Sequence, residues 1–440
     1  MTERLAKLAA QGEPGERETW TRSVADQFGS IERVVIVGSG TRFASGISHY
    51  TYLLSSTLST EYSVGALLMR RLVPQRLYPG RDHVGAAVAD SVVYPPEVSV
   101  YDGVDWYWGR SLRNAFRYLD RQRPTVVIFE WWTGAVLHTY LRLAKYAAKL
   151  GARIILEWHE GQDVGEAALP AARLYVKTLM PRLVSLVDAH VVHSNYDLTA
   201  IQAAYPLGDA IIRVMPHGPY HHVVSSESRP VVPEGSPFRL LYFGVIRPYK
   251  GVEDLVAAFS MLDRAQAIQF RLSVVGETWE GFTAPDAAIA SSPHADLIDR
   301  ADRYVTDEEL ATYVAEADAI VLPYRRSSLS GPLFIAMTAG LPTVVTAVGG
   351  LVEVVEDYPG AMLVPPQDPV ALRDALLKLP SRRGERYPNP RSWEQTLNAY
   401  QTLIRELRKA PDFRQSAAEP QVQSPLVVRA SGPGTGWTFR

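Results

Sequence analysis

Short unbroken runs of apolar residues alternate along this chain with longer stretches in which apolar positions recur every three or four residues. The runs at Arg33–Gly38, Tyr62–Met69, Thr125–Glu130, Arg153–Glu157 and Ala189–His193 read as strands buried on both faces. Ser45–Leu58, Trp108–Arg121, Gly134–Leu150 and Ala167–Leu186 fit helices between them. The second half repeats the scheme, with strands expected at Ile211–Met215, Arg239–Phe243, Phe270–Val275, Leu297–Arg300, Ala319–Leu322, Thr343–Thr346 and Ala361–Val364. Its helices are expected at Val252–Met261, Asp307–Glu316, Gly331–Ala339, Val352–Val355 and Pro369–Lys378, and an amphipathic one at Ser392–Arg408. Strand–helix alternation of this kind builds parallel sheets covered by helices, so the expected class is α/β with two Rossmann-like, doubly wound domains. The break between them falls in Tyr220–Pro237, rich in Ser, Pro and Glu. The expected division is 1–32 as an extension, 33–223 and 224–390 as domains, 391–409 as a helix crossing back, and 410–440 as a disordered tail.

Composition narrows the classes of function. At 440 residues the chain exceeds one ordinary domain, and 47% apolar with 21% charged residues describes a globular protein. A net charge of −2 without a basic stripe argues against nucleic acid as partner. With no cysteine, disulfides, thiolate metal sites and cysteine nucleophiles are excluded. Neither a signal peptide nor a run of ~20 apolar residues is legible, so the expectation is a cytoplasmic protein that meets a membrane at most at its surface.

Four strand ends carry candidate chemistry. In Tyr242–Gly251 (YFGVIRPYKG) an apolar strand ends at Gly244, Arg247 and Lys250 follow, and Gly251 opens a helix. A flexible glycine, two cations and a helix N-terminus suit a diphosphate, whereas the plain alternative is a solvated loop. In Tyr324–Gly331 (YRRSSLSG) the hydroxyls of Ser327 and Ser330 precede a helix whose first amides, at Gly331, Pro332 and Leu333, make a second anion cradle or an ordinary cap. His159 follows the strand RIILEW in a segment with Glu160, Asp163 and Glu166, whose spacing is not that of metal ligands on one helical face. Trp131 and Trp132 end another strand, where they serve either the core or a sugar-stacking acceptor subsite. Arg70, Arg71, Arg76 and Arg81, with Arg173, Lys177 and Arg182, make a basic, partly apolar surface on the first half. Such a surface suits either a packed amphipathic helix or peripheral contact with the inner membrane surface.

With GVIRPYKG, VVGE (Val274–Glu277), DEELATYVAEADAIVLPY (Asp307–Tyr324), AMTAGLPTVVTAVGG (Ala336–Gly350) and LVPPQDPVAL (Leu363–Leu372), the chain resembles the glycosyltransferases of family 4, which have the GT-B fold. VIVGSGTRFASGISHY and the PHG at Pro216–Gly218 extend the resemblance, more loosely, into the first half. It implies a retaining, metal-independent transferase without a cofactor, taking a GDP-, UDP- or ADP-linked sugar to a glycan, lipid-linked or small-molecule acceptor. It implies Arg247 and Lys250 on the donor diphosphate, His159 near the transferred sugar, and Gly244, Glu277, Ser327, Ser330, Gly331, Pro332 and Leu333 around the donor. Gly38, Gly40 and Gly46 would let the first domain approach across the cleft, with Trp131, Trp132, Glu160 and Asp163 toward the acceptor. One departure stands out: two glutamates that many members carry fall here on Ser327 and Ile335. Ser327 can still hydrogen-bond a sugar, but Ile335 cannot bind a ribose diol, so the chain reads as a divergent branch. A nucleotide-sugar epimerase on the same fold and a non-catalytic sugar-nucleotide-binding partner are the alternative functions.

Overall fold

The computed structural model describes residues 32–40, 46–71, 92–106, 108–160, 170–224, 233, 235–278 and 281–410. The apolar runs pair as two sheets, and every pairing is parallel. The first contains β1 (Arg33–Ser39), β2 (Ser63–Arg71), β3 (Ser99–Asp105), β4 (Val126–Trp131), β5 (Arg153–Trp158), β6 (Ala189–Val192) and β7 (Ile211–Val214), in the order β3-β2-β1-β4-β5-β6-β7. The second contains β8 (Phe238–Phe243), β9 (Phe270–Val275), β10 (Ile298–Ala301), β11 (Ala319–Leu322), β12 (Thr343–Thr346) and β13 (Ala361–Val364), in the order β10-β9-β8-β11-β12-β13. The order reverses between β1 and β4 and between β8 and β11, the switch points beyond whose carboxyl ends such sheets bind ligands.

Three features depart from the sequence expectation. Ile211–Val214, set among the second-half strands yet lying within the expected span 33–223, pairs with β6 at the edge of the first sheet. β3 was not anticipated, because SVYDGVD is an edge strand whose Asp and Gly break the apolar run. The helices Asn195–Ala204, Arg264–Ala267 and Ala284–Ser291 were not anticipated either; each is short, and few of their side chains are buried, so no long apolar stripe marks them.

One apolar cluster fills the outer face of the first sheet around Leu67, Phe129, Tyr140 and Leu156. The other runs from Val34, Tyr50 and Ile155 through the whole second sheet to Tyr400, Leu403 and Leu407 of the last helix, Trp393–Lys409. That helix begins with a capping box in which Ser392 and Gln395 satisfy each other's backbone N–H groups. It follows the second sheet in sequence yet packs on the first: Thr396 donates to the Pro216 carbonyl at 3.0 Å, and Trp393 Nε1 to the Pro219 carbonyl at 2.8 Å. Arg213–Glu406 (2.6 Å) and Arg408–Glu32 (2.8 Å) add ion pairs along it. Among the described residues no helix is long and apolar enough to cross a membrane.

Candidate active site

Beyond Gly244, the carboxyl end of β8 turns into a short 3-10 helix, Pro248–Lys250, and Gly251 starts the helix Val252–Ser260. Gly251 has φ 65°, and a Cβ there would lie 2.1 Å from the Pro323 carbonyl oxygen, so only glycine fits between the two loops. The β11 loop is tied to this turn by Arg325, whose N–H donates to the Tyr249 carbonyl (2.8 Å) and whose guanidinium grips Asp254 (2.8 and 2.7 Å) and Glu253 (2.9 Å). Lys250 Nζ then lies 3.7 Å from the centre of the Tyr324 ring. The Tyr324 hydroxyl accepts from Ser330 Oγ at 3.2 Å, and Ser330 Oγ accepts from the Leu333 amide at 3.3 Å as the cap of helix Gly331–Thr338. Both anion cradles read from the sequence are therefore joined through one tyrosine.

The first domain reaches the same place. Burial lowers the Lys250 ammonium to about 7, Glu160 after β5 opposes that shift, and Arg247 adds to it. Arg247, Lys250 and Glu160, from opposite domains, thus share one electrostatic neighbourhood. Tyr220 stands between the two facing helix starts. Its hydroxyl donates to the Gly46 carbonyl at 3.0 Å, and a Cβ on Gly331 would lie 3.8 Å from its ring. His217 stacks on Phe334 at 4.2 Å and meets Tyr50 at 4.4 Å, continuing the seam from the first domain into helix Gly331–Thr338. Farther along, Glu353 accepts from the amides of Asn195 (2.7 Å) and Tyr196 (2.8 Å), closing the N-terminus of a first-domain helix with a second-domain carboxylate.

The other expected residues have surroundings of their own. Trp131 is fully buried and packs edge-on to Trp158 at 6.1 Å, so it offers no face to a sugar; Trp132 is only half-buried, near Tyr140. Gly38 admits the protein's own groups, because a Cβ there would lie 2.3 Å from Glu130 Oε2 and 2.6 Å from Thr51 Oγ1. A Cβ on Gly40 would likewise strike the Met69 carbonyl oxygen at 2.4 Å. Ser327 donates to the Leu329 carbonyl at 2.7 Å, and Ile335 is 6% exposed within the second-domain core rather than facing a ribose. Glu277 sits by the Arg247 turn, where its carbonyl accepts from the Ile246 amide at 2.9 Å. His159 is buried against Tyr50 and His193 (4.6 and 5.3 Å), and burial first, then its histidine neighbours, holds its imidazole well below the ordinary range. Arg70 is bound to Asp105, while Asp163, Glu166, Arg76 and Arg81 lie outside the described residues.

Sequence reasoning passed over Glu130 and Glu157, Cα partners on β4 and β5 and both wholly buried. A charged residue at the same point of two apolar strands (VVIFEW, RIILEW) was the available signal. Tyr220, His193 and Glu353 left none, since each matters through a contact between distant segments.

Two parallel-sheet α/β domains that meet at the carboxyl ends of their strands define a GT-B glycosyltransferase fold. Residues 237–381 match the family described as "Glycosyl transferases group 1", so the second half carries a domain of that group. The chain is 32% identical over 146 residues to a D-inositol 3-phosphate glycosyltransferase of Frankia alni, covering 32% of this chain and 36% of that one. It is 34% identical over 108 residues to a GDP-mannose:glycolipid 4-beta-D-mannosyltransferase of Xanthomonas campestris, covering 24% and 29%. These matches span about a third of the relatives' lengths. Among solved structures, a glycosyltransferase from Rickettsia africae superposes with TM-score 0.61 at 14% identity, over 87% of this chain and 100% of that one.

Proposed function

We propose that this protein is a retaining glycosyltransferase that moves a sugar from a nucleotide-sugar donor to a glycan, lipid-linked or small-molecule acceptor. The observation that carries the reading is the Arg247–Lys250 turn, set in a group 1 glycosyl transferase domain and facing Glu160 across the seam. As the bond from the anomeric carbon to the phosphate oxygen breaks, negative charge grows on the departing diphosphate. Arg247 and Lys250 balance it with side-chain charge, and the amides from Gly331 to Leu333 add donors. The acceptor oxygen bonds to the anomeric carbon on the face the nucleotide leaves, and its proton passes to the departing phosphate oxygen. The His159 imidazole is turned into the interior, so its approach to the sugar is through the backbone carbonyl. The two curated relatives named above act in sugar transfer to an inositol phosphate and to a glycolipid, which favours a phosphorylated or lipid-linked acceptor here.

Incubation with a panel of UDP-, GDP- and ADP-sugars, with and without acceptor, reads released nucleotide and the anomeric form of the product. Acceptor-dependent release with retained configuration supports the proposal. Epimerised donor without release, or binding without turnover, overturns it.

A further inference from the structure

Beneath the cleft, three buried polar side chains converge without partners for their inner atoms. Glu157 and His159 project from the same side of the β5 end, two residues apart, and His193 follows the neighbouring β6. Glu157 Oε2, His159 Nε2 and His193 Nε2 are buried and make no hydrogen bond of ordinary geometry, although the Tyr400 hydroxyl approaches the Glu157 carboxylate closely enough to interact with it. The donor atoms that the three residues offer all lie within 4.8 Å of one another. Glu157 and His193 are already held at their other polar atoms. Glu157 Oε1 accepts from the Tyr50 hydroxyl at 2.6 Å, and the His193 Nδ1 lies 3.2 Å from the Met215 carbonyl. A carbonyl can only accept, so Nδ1 carries the proton and Nε2 of neutral His193 presents a lone pair. That lone pair faces Glu157 Oε1 at 3.4 Å, acceptor against acceptor.

Lone pairs converging in this way call for a cation. We propose that Glu157, His159 and His193 bind a divalent transition-metal ion of the zinc type, which fastens the carboxyl ends of β5 and β6 under the cleft. Two imidazoles and one carboxylate are a borderline-soft N/O donor set, and three protein ligands leave one tetrahedral position for water. The Met215 carbonyl on His193 and the Tyr50 hydroxyl on Glu157 are the outer partners such ligands keep, and they fix orientation and tautomer. The ion lies behind the cleft and takes no part in the transfer step, so this inference stands apart from the proposed activity.

The test is metal uptake by the full chain after treatment with a chelator, titrated with Zn²⁺ and with Co²⁺, whose visible absorption reports tetrahedral N/O ligation. About one equivalent per chain, with tetrahedral Co²⁺ bands and a raised melting temperature, is expected. His193→Gln and Glu157→Gln should each lose that uptake, whereas His222→Gln should keep it. The last variant controls for a second group, His49, His222 and Asp307, also close enough to ligate. No uptake by the wild type, or uptake that survives His193→Gln and disappears in His222→Gln, overturns the proposal. Circular dichroism checks that the chelated variants fold. If either does not, Tyr50→Phe decides, with affinity for Co²⁺ expected to fall about tenfold and unchanged affinity overturning the site.

Discussion

Lys250 is an ammonium held between two opposing influences. Burial lowers it to about 7, while Glu160 pulls it back toward the charged form. Because its folded value lies below its ordinary one, the unfolded chain binds the extra proton between about 7 and the ordinary lysine range. Its contribution to stability therefore rises with pH through that window. Ligand binding runs the other way. A diphosphate favours charged Lys250, so affinity for a nucleotide-sugar should fall from pH 7 to pH 9, with a slope approaching one decade per unit. Lys250→Arg, which stays charged, should flatten that slope, and titration calorimetry at several pH values reads both. Arg247→Ala and Lys250→Ala should each keep the melting temperature near that of the wild type while turnover drops by about two orders of magnitude or more. Near-normal turnover in both would remove the turn from the site.

Two elements give opposite answers to substitution. Ile335 lies within helix Gly331–Thr338 and is buried in the second core, so Ile335→Glu should not create a ribose contact. It should instead bury a carboxylate among apolar neighbours and lower the melting temperature sharply, whereas Ile335→Val should cost about 1 kcal/mol. A folded Ile335→Glu protein with tightened nucleotide affinity would show that this side chain does face the ligand. The last helix offers the second case. Trp393 covers Gly218, where a Cβ would lie 2.4 Å from its ring, and it donates to Pro219. Trp393→Ala should therefore destabilise by about 3 kcal/mol, and truncation before Ser392 by more. Removing residues 411–440 should leave melting and turnover unchanged, given their Pro, Ser, Gly and Gln content. A thermal-shift series on the three proteins tests the boundary, and equal losses from both truncations would move it.

Across the whole molecule, side chains of the two domains meet at several points along the seam. Glu353 on the N-terminus of helix Asn195–Ala204 and the His217–Phe334 stack are two of them. An anion at a helix N-terminus contributes about 0.3–1 kcal/mol when exposed. Glu353→Ala should then leave circular dichroism unchanged, widen the scattering profile and raise KM more than it lowers kcat. An unchanged profile and KM would show that the seam closes without it.

Apolar periodicity was enough to locate most strands, because a strand buried on both faces must be apolar throughout and a covering helix must show one apolar stripe. It also placed Gly244, Arg247, Lys250, Ser330 and Gly331 at strand–helix turns, where position in the chain already decides exposure to a cleft. It failed where pairing, not pattern, decides. The partner of Ile211–Val214, the inward turn of Trp131 and the occupation of the space beside Gly38 by Glu130 follow from contacts between distant segments. The same holds for the meeting of Lys250 with Glu160 and for the convergence of Glu157, His159 and His193. Periodicity records which side of an element is apolar; which groups face one another across a cleft is decided only when the sheets have formed and the last helix has returned to the first domain.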